Sequence, residues 1–429
     1  MVYFARQDKM LPPLTGEMIK NVRILVVGVG AGGNESAKNL VLMGFGNITV
    51  VDLDLVEDSN LSRTVVYRKG DIGKSKALIA AERLKEMALA DAPHITGLHG
   101  NIMTDFGKGE LFMKHDIVIS CVDTQECRAF ISDWCVRTNT PMFELGFDGF
   151  NLNVTFFAPA DGYVQVTDGR HIDRLPSSDG LFPIPENRME VCLREEIGNG
   201  TFDGSRNSCS GFKMKDHELM KIPTIQTCSA MAAAILTTEL VKYLSGKDTL
   251  RNKIIYYYGL RHEAMCFSYK PSKQCIIHQE NIPVENIEVA KDDTLGEILR
   301  KISDKYCAQP LMSVTPFVIS GHCASCGCEM TVGKLETEMY DDERWCPECR
   351  TRYADYSTRL LYPNQWKRTP FELTLSSRNE ILAMRPCDIG IPEGDIVKVT
   401  LTSDEGICQK FLWLKSNLYF SQYNKPGGS

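Results

Sequence analysis

A chain of 429 residues has room for one large domain and a smaller one, and 43% hydrophobic with 24% charged residues is an ordinary globular balance. The net charge of −7 argues against nucleic acid as a partner, since phosphate binding needs a basic footprint. No apolar run reaches membrane-spanning length, and Met1-Val2-Tyr3-Phe4-Ala5-Arg6 turns polar too early for a signal peptide. No membrane attachment is therefore expected, the expected location is cytoplasmic, and the 16 cysteines are expected to serve as thiols, metal ligands or a nucleophile rather than as disulfides.

In chain order, residues 23–28 form a short apolar run ending in glycine, the pattern of a buried parallel strand. A helix is predicted near 33–43, a strand near 48–53, a charged helix near 74–90, and strands near 94–99 and 116–121. A helix near 125–138 and strands near 141–145 and 152–157 come next. Strands alternating with helices predict an α/β fold with a doubly wound, Rossmann-like sheet. Residues 168–221 are long, polar and with little period, and loops of this length are uncommon and tend to be functional or disordered. Order returns with a mostly apolar helix at 224–245 and strands near 254–258 and 264–269. A first domain over 1–270 is thus expected to contain a crossover loop at about 168–221. A C-terminal α+β domain over 271–420 comes after it, with a helix at 294–305, a cysteine-rich module at 321–352, and strand-like pieces at 370–375 and 396–402. Residues 421–429 read as a tail.

Gly28-Val29-Gly30-Ala31-Gly32-Gly33 lies between the first strand and helix, where glycines admit phosphate to the backbone and the helix N-terminus offers free amides. Asp52, ending the second strand, stands where a carboxylate takes ribose hydroxyls. Gly28, Gly30, Gly33 and Asp52 alone suit a NAD- or FAD-binding oxidoreductase equally well.

The residues beyond Asp52 narrow the choice. Asp52-Leu53-Asp54 continues into Ser59-Asn60-Leu61-Ser62-Arg63, then Gly73-Lys74-Ser75-Lys76, and later Ser120-Cys121-Val122-Asp123. These elements, in this order, resemble the ThiF/MoeB/HesA family, which includes the catalytic halves of ubiquitin-activating enzymes. The resemblance covers roughly residues 1–270 and is closest in character to small prokaryotic members. It implies an adenylation domain that binds ATP with magnesium, with Asp52 on the ribose, Arg63 and Lys76 on the phosphates, Asn60 shaping the phosphate side, and Asp123 holding the metal. Ala5-Arg6-Gln7 resembles the family's Arg-Gln element, implying a homodimer in which Arg6 reaches the partner's site in trans. The substrate implied is the C-terminal carboxylate of a ubiquitin-like protein. A sulfur-carrier adenylyltransferase of the thiamin or molybdopterin type is the alternative.

Thioester-forming members carry their cysteine in the crossover loop, where this chain has Cys192 and Cys209. Arg206 lies near Cys209, and a cation lowers a thiol pKa, whereas Glu190, Glu195 and Glu196 surround Cys192 and would raise it; Cys209 is the expected nucleophile and Cys192 the second choice. Such an enzyme passes its cargo to a conjugating enzyme. Further on, Cys323-Ala324-Ser325-Cys326 and Cys346-Pro347-Glu348-Cys349 are two C-x-x-C knuckles with the spacing of a zinc ribbon. Four thiolates leave no open position, so Cys323, Cys326, Cys346 and Cys349 are expected to hold structural zinc. Residues 388–399 are similar to the end of a β-grasp, the fold of the domain with which activating enzymes recruit conjugating enzymes.

Overall fold

The computed structural model describes residues 2–4, 6–10, 19–159, 166–167, 171–172, 189–193, 225–271, 275–279, 282, 284–336, 346–352 and 366–415. The chain divides into two compact units, Met1–Asn281 and Ile282–Ser429. The first therefore runs past residue 270, where the sequence alone ends it.

Its frame is an eight-stranded sheet. β1 (Arg23–Val27), β2 (Asn47–Asp52), β3 (His94–His99), β4 (Ile117–Ser120) and β5 (Met142–Asp148) run parallel. β6 (Asn151–Phe157) turns back antiparallel to β5. A short pair, β7 (Val166–Thr167) with β8 (His171–Ile172), stands apart from the sheet. An antiparallel hairpin, β9 (Lys253–Tyr258) and β10 (Glu263–Ser268), completes the order β10-β9-β6-β5-β4-β1-β2-β3. Parallel strands buried on both faces should be apolar at every position rather than at alternate ones. In β1, Ile24 and Val26 join the core on one face and Leu25 and Val27 that on the other. α1 (Ala31–Leu42), α2 (Lys76–Met87) and α4 (Gln226–Leu244) feed the first core, and α3 (Gln125–Thr138) the second. Gln226 Nε2 donates to the buried Glu35 carboxylate at 2.8 Å and ties the start of α4 to α1.

After β3 the chain returns to the far side of β1 and lays down β4. This reversal opens a crevice at the carboxyl ends of β1 and β4, where doubly wound sheets place their ligands. The glycine turn fits that crevice only because of two missing side chains. Gly28 has φ +81°, and a Cβ there would lie 2.7 Å from the Cys121 carbonyl oxygen; a Cβ on Gly33 would lie 1.9 Å from the carbonyl oxygen of Gly28.

The second unit is a mixed sheet in the order β11-β18-β17-β12-β16. Its strands are β11 (Val284–Glu288), β12 (Gln309–Ser313), β16 (Glu372–Leu373), β17 (Ile396–Ser403) and β18 (Gly406–Lys415). One helix, α5 (Leu295–Tyr306), packs Leu295, Ile298, Leu299 and Ile302 into its core. Thr294 starts that helix with a capping box: its Oγ1 accepts from Glu297 N–H while Glu297 Oε2 accepts from Thr294 N–H. The strand expected over 370–375 contracts to two residues, since within that strand only Leu373 reaches the core. Between β12 and β16 the chain inserts a three-stranded sheet of β13 (Phe317–His322), β14 (Glu329–Leu335) and β15 (Trp366–Arg368), which carries the cysteine knuckles.

Gly33→Ala should lower stability by more than about 3 kcal/mol, because backbone must move to admit the methyl. Gly30 has nothing within 4 Å of its missing Cβ. Gly30→Ala should therefore melt within a degree or two of wild type, and equal thermal shifts for the two variants would refute this packing account.

Candidate functional site

The crevice gathers residues from four segments. The N–H of Gly28 donates to Val51 O at 2.8 Å, which sets the turn against the end of β2. Asp52 is next, and its carboxylate is fixed by two backbone donors: Val29 N–H to Oδ2 and Asp54 N–H to Oδ1, each at 2.8 Å. Burial pushes the Asp52 carboxyl above its ordinary pKa, opposed by the charge of Lys76 and by those two N–H groups. Lys76 opens α2, just after Ser75, whose Oγ accepts from Leu78 N–H as the N-cap. The Lys76 ammonium pairs with Asp54 Oδ2 at 2.7 Å.

Asn60 is buried and acts locally, its Oδ1 accepting from Glu57 N–H at 2.9 Å. Arg63 is half-buried, and its Nη1 donates to Ser59 O at 2.5 Å. Asp123 is exposed just beyond β4 and next to Thr124, whose side chain caps α3 by accepting from Cys127 N–H. Glycine turn, Asp52 carboxylate and Asp123 thus stand at the ends of three adjacent strands, β1, β2 and β4 respectively. Arg6 is exposed near the amino end, where Gln7 Nε2 donates to Met43 O at 2.8 Å.

Residues not singled out in the sequence prove central to the local geometry. Asn34 Nδ2 donates to Val29 O at 2.5 Å, and Asn34 Oδ1 accepts from Val66 N–H at 3.0 Å. The Tyr67 hydroxyl also donates to Val29 O, at 2.7 Å, with Lys76 O at 3.2 Å. Behind the crevice the buried Arg128 guanidinium of α3 pairs with Glu144 of β5. The signal available in the sequence was Asn34-Glu35-Ser36, three consecutive polar residues that the fold buries within a helix.

Cys209 lies outside the described residues. Cys192 is fully buried, with Sγ 3.7 Å from Cys275 Sγ, and with His278 these form one group of ligand-type atoms within 4.8 Å. In the ribbon, Cys323, Cys326, Cys346 and Cys349 form a second group. Cys323 and Cys349 are 3.8 Å apart at sulfur, and Cys326 and Cys346 3.5 Å. A tetrahedron with zinc–sulfur bonds of about 2.3 Å has edges of about 3.8 Å, so the four sulfurs fit one zinc ion. Around them Val318 and Trp366 make a small core that is too slight to hold the ribbon by itself. No helix among the described residues is long and apolar enough to cross a membrane.

The ThiF family profile matches residues 6–276, and the chain belongs to the ThiF family. Over 136 residues it is 39% identical to SUMO-activating enzyme subunit 2 of Dictyostelium discoideum, covering 32% of this chain and 20% of that protein. The chain thus spans a fifth of that relative's length. The NEDD8-activating enzyme E1 catalytic subunit of the same organism is 24% identical over 353 residues, covering 70% of this chain and 77% of the relative. Adenylyltransferase and sulfurtransferase MOCS3 of Caenorhabditis briggsae is 33% identical over 144 residues, covering 33% of this chain and 35% of that one. Among solved structures, E. coli MccB aligns at 18% identity with a TM-score of 0.48, covering 64% of this chain and 71% of that chain.

The purified protein should contain zinc, and Cys346→Ser should lower the metal content by about one ion per chain and destabilise the second unit. Elemental analysis showing unchanged zinc in that variant would exclude the ribbon as the ligand set.

Proposed function

We propose that this chain activates a ubiquitin-like protein by adenylating its C-terminal carboxylate with ATP. The observation that carries the reading is the convergence of the glycine turn, Asp52 and Asp123 at one switch point, with Arg63 and Lys76 on the segments that border it. A carboxylate oxygen attacks the α-phosphorus, the bond to the β-phosphate bridge breaks, and pyrophosphate leaves. Negative charge grows on the phosphate oxygens, so the fixed cations Arg63 and Lys76 stabilise the transition state more than the ground state. The amides at the start of α1 cradle phosphate, and the Asp52 carboxylate accepts from the ribose. Asp123, an exposed carboxylate just beyond β4, would hold magnesium, which would neutralise part of the phosphate charge. Arg6 completes the site in trans within a homodimer. Structural zinc holds the ribbon.

The second step transfers the acyl group. A thiolate attacks the carbonyl carbon of the acyl adenylate, AMP leaves with the bonding pair, and a thioester retains the activation. Cys209 is the nucleophile in this reading, and the full burial of Cys192 favours it further. The cargo then passes to a conjugating enzyme recruited by the β-grasp-like unit, all in the cytoplasm. Similarity to MOCS3 supports a second reading, in which the adenylate serves a sulfur carrier and no stable thioester forms.

Asp123→Ala should cut carrier-dependent ATP–pyrophosphate exchange by about a hundredfold or more while melting like wild type. With a carrier, ATP and magnesium, a non-reducing gel should show an adduct that reductant removes and Cys209→Ala abolishes. Exchange without any adduct selects the sulfur-carrier reading, and NADH binding without ATP binding defeats both.

A further inference from the structure

Val29 ties three segments to the glycine turn through its two peptide groups. Its N–H holds Asp52, at the end of β2. Its carbonyl oxygen takes two donors, Asn34 Nδ2 from α1 and the Tyr67 hydroxyl from the segment just beyond Arg63. The same hydroxyl lies 3.2 Å from the carbonyl oxygen of Lys76, the first residue of α2, and Asn34 Oδ1 holds the N–H of Val66. Asn34, Val66 and Tyr67 are all buried. Both lone pairs of one carbonyl are thus spent on linking the glycine turn to the loop that carries Arg63, and the tyrosine extends the link to the residue that carries the ammonium.

A fold does not need this. Val29 O would be satisfied by Asn34 alone, and Lys76 O lies inside a helix that supplies its own donor. The added hydroxyl instead fixes the distance between the turn and two cation-bearing segments, whose side chains otherwise rest on Ser59 O and Asp54. Burial, with the charge of Asp52 next, holds the Tyr67 hydroxyl protonated well above the ordinary tyrosine range, so it stays a donor at every working pH.

We propose that Tyr67, with Asn34, is a positioning residue that sets Arg63 and Lys76 in register with the glycine turn, and so determines how tightly the triphosphate is held. The inference rests on the adenylation reading. Its signature is selectivity: register between turn and cations matters to a ligand with phosphates and not to one without.

The test is calorimetric titration of the full chain with magnesium-ATP and, separately, with adenosine. Wild type would be compared with Tyr67→Phe, which keeps the ring and removes the hydroxyl, and with Ile95→Val, a core change on β3 that controls for general loss of stability. Tyr67→Phe should bind ATP roughly three- to tenfold more weakly, the range one buried hydrogen bond supplies, with adenosine affinity unchanged. Ile95→Val should bind both like wild type. Unchanged ATP affinity in Tyr67→Phe overturns the proposal, as does equal weakening toward ATP and adenosine, which is what loosening of the fold would give. Wild type that binds adenosine and ATP equally, or neither, defeats the adenylation reading itself and this inference with it.

Discussion

The carbonyl oxygen of Gly28 and the α-carbon of Gly33 approach so closely that no side chain fits between them. On that contact depends where α1 begins, and therefore where its free amides point. Beneath it, the turn presses on the Cys121 carbonyl at the end of β4, so the same residues close the crevice from one side and line it from the other. Asp52 then has only one place to go. Its carboxylate replaces water for the Val29 and Asp54 amides, which favour the charged form while burial pushes its pKa up. Geometry and electrostatics of the site are two results of a single packing decision.

The cations around the crevice are not waiting in solvent. Lys76 is buried against Asp54, and Arg63 leans on a carbonyl of its own loop. In the proposed reaction each partner would give way to phosphate, since a doubly or triply charged anion offers more than one exposed carboxylate or one neutral oxygen. Prepositioned side chains lose less rotamer freedom when the ligand arrives. The resting contacts therefore confine the charges without consuming them.

Much of the first unit was legible from sequence because its strands are buried on both faces. Continuous apolar runs such as Ile24–Val27 and Ile117–Ile119 leave little choice of element, and the glycine turn marks the order of strand and helix. The bonds of Asn34 and Tyr67 were not legible, since they join residues 32 and 38 positions apart through backbone atoms, which carry no sequence signal. The Cys192–Cys275 proximity was hidden by separation along the chain, 83 positions lying between the two thiols. In the second unit the helix at Leu295–Tyr306 falls where a helix over 294–305 was expected, its apolar Leu295, Ile298, Leu299 and Ile302 recurring at helical spacing. β18 was not, because its first half is exposed, apolar Ile407 included, and only Phe411–Leu414 packs into the core.

The division of labour between glycines and charges has a consequence for ancestry. Gly28 and Gly33 cannot be exchanged without disturbing the sheet, whereas Asp123 is exposed and Arg63 half-exposed, with no core packing to lose. Selection for a folded chain alone would preserve the former and let the latter drift. Descendants that abandoned chemistry and survived as scaffolds would keep the glycine fingerprint intact and shed their arginine and aspartate first.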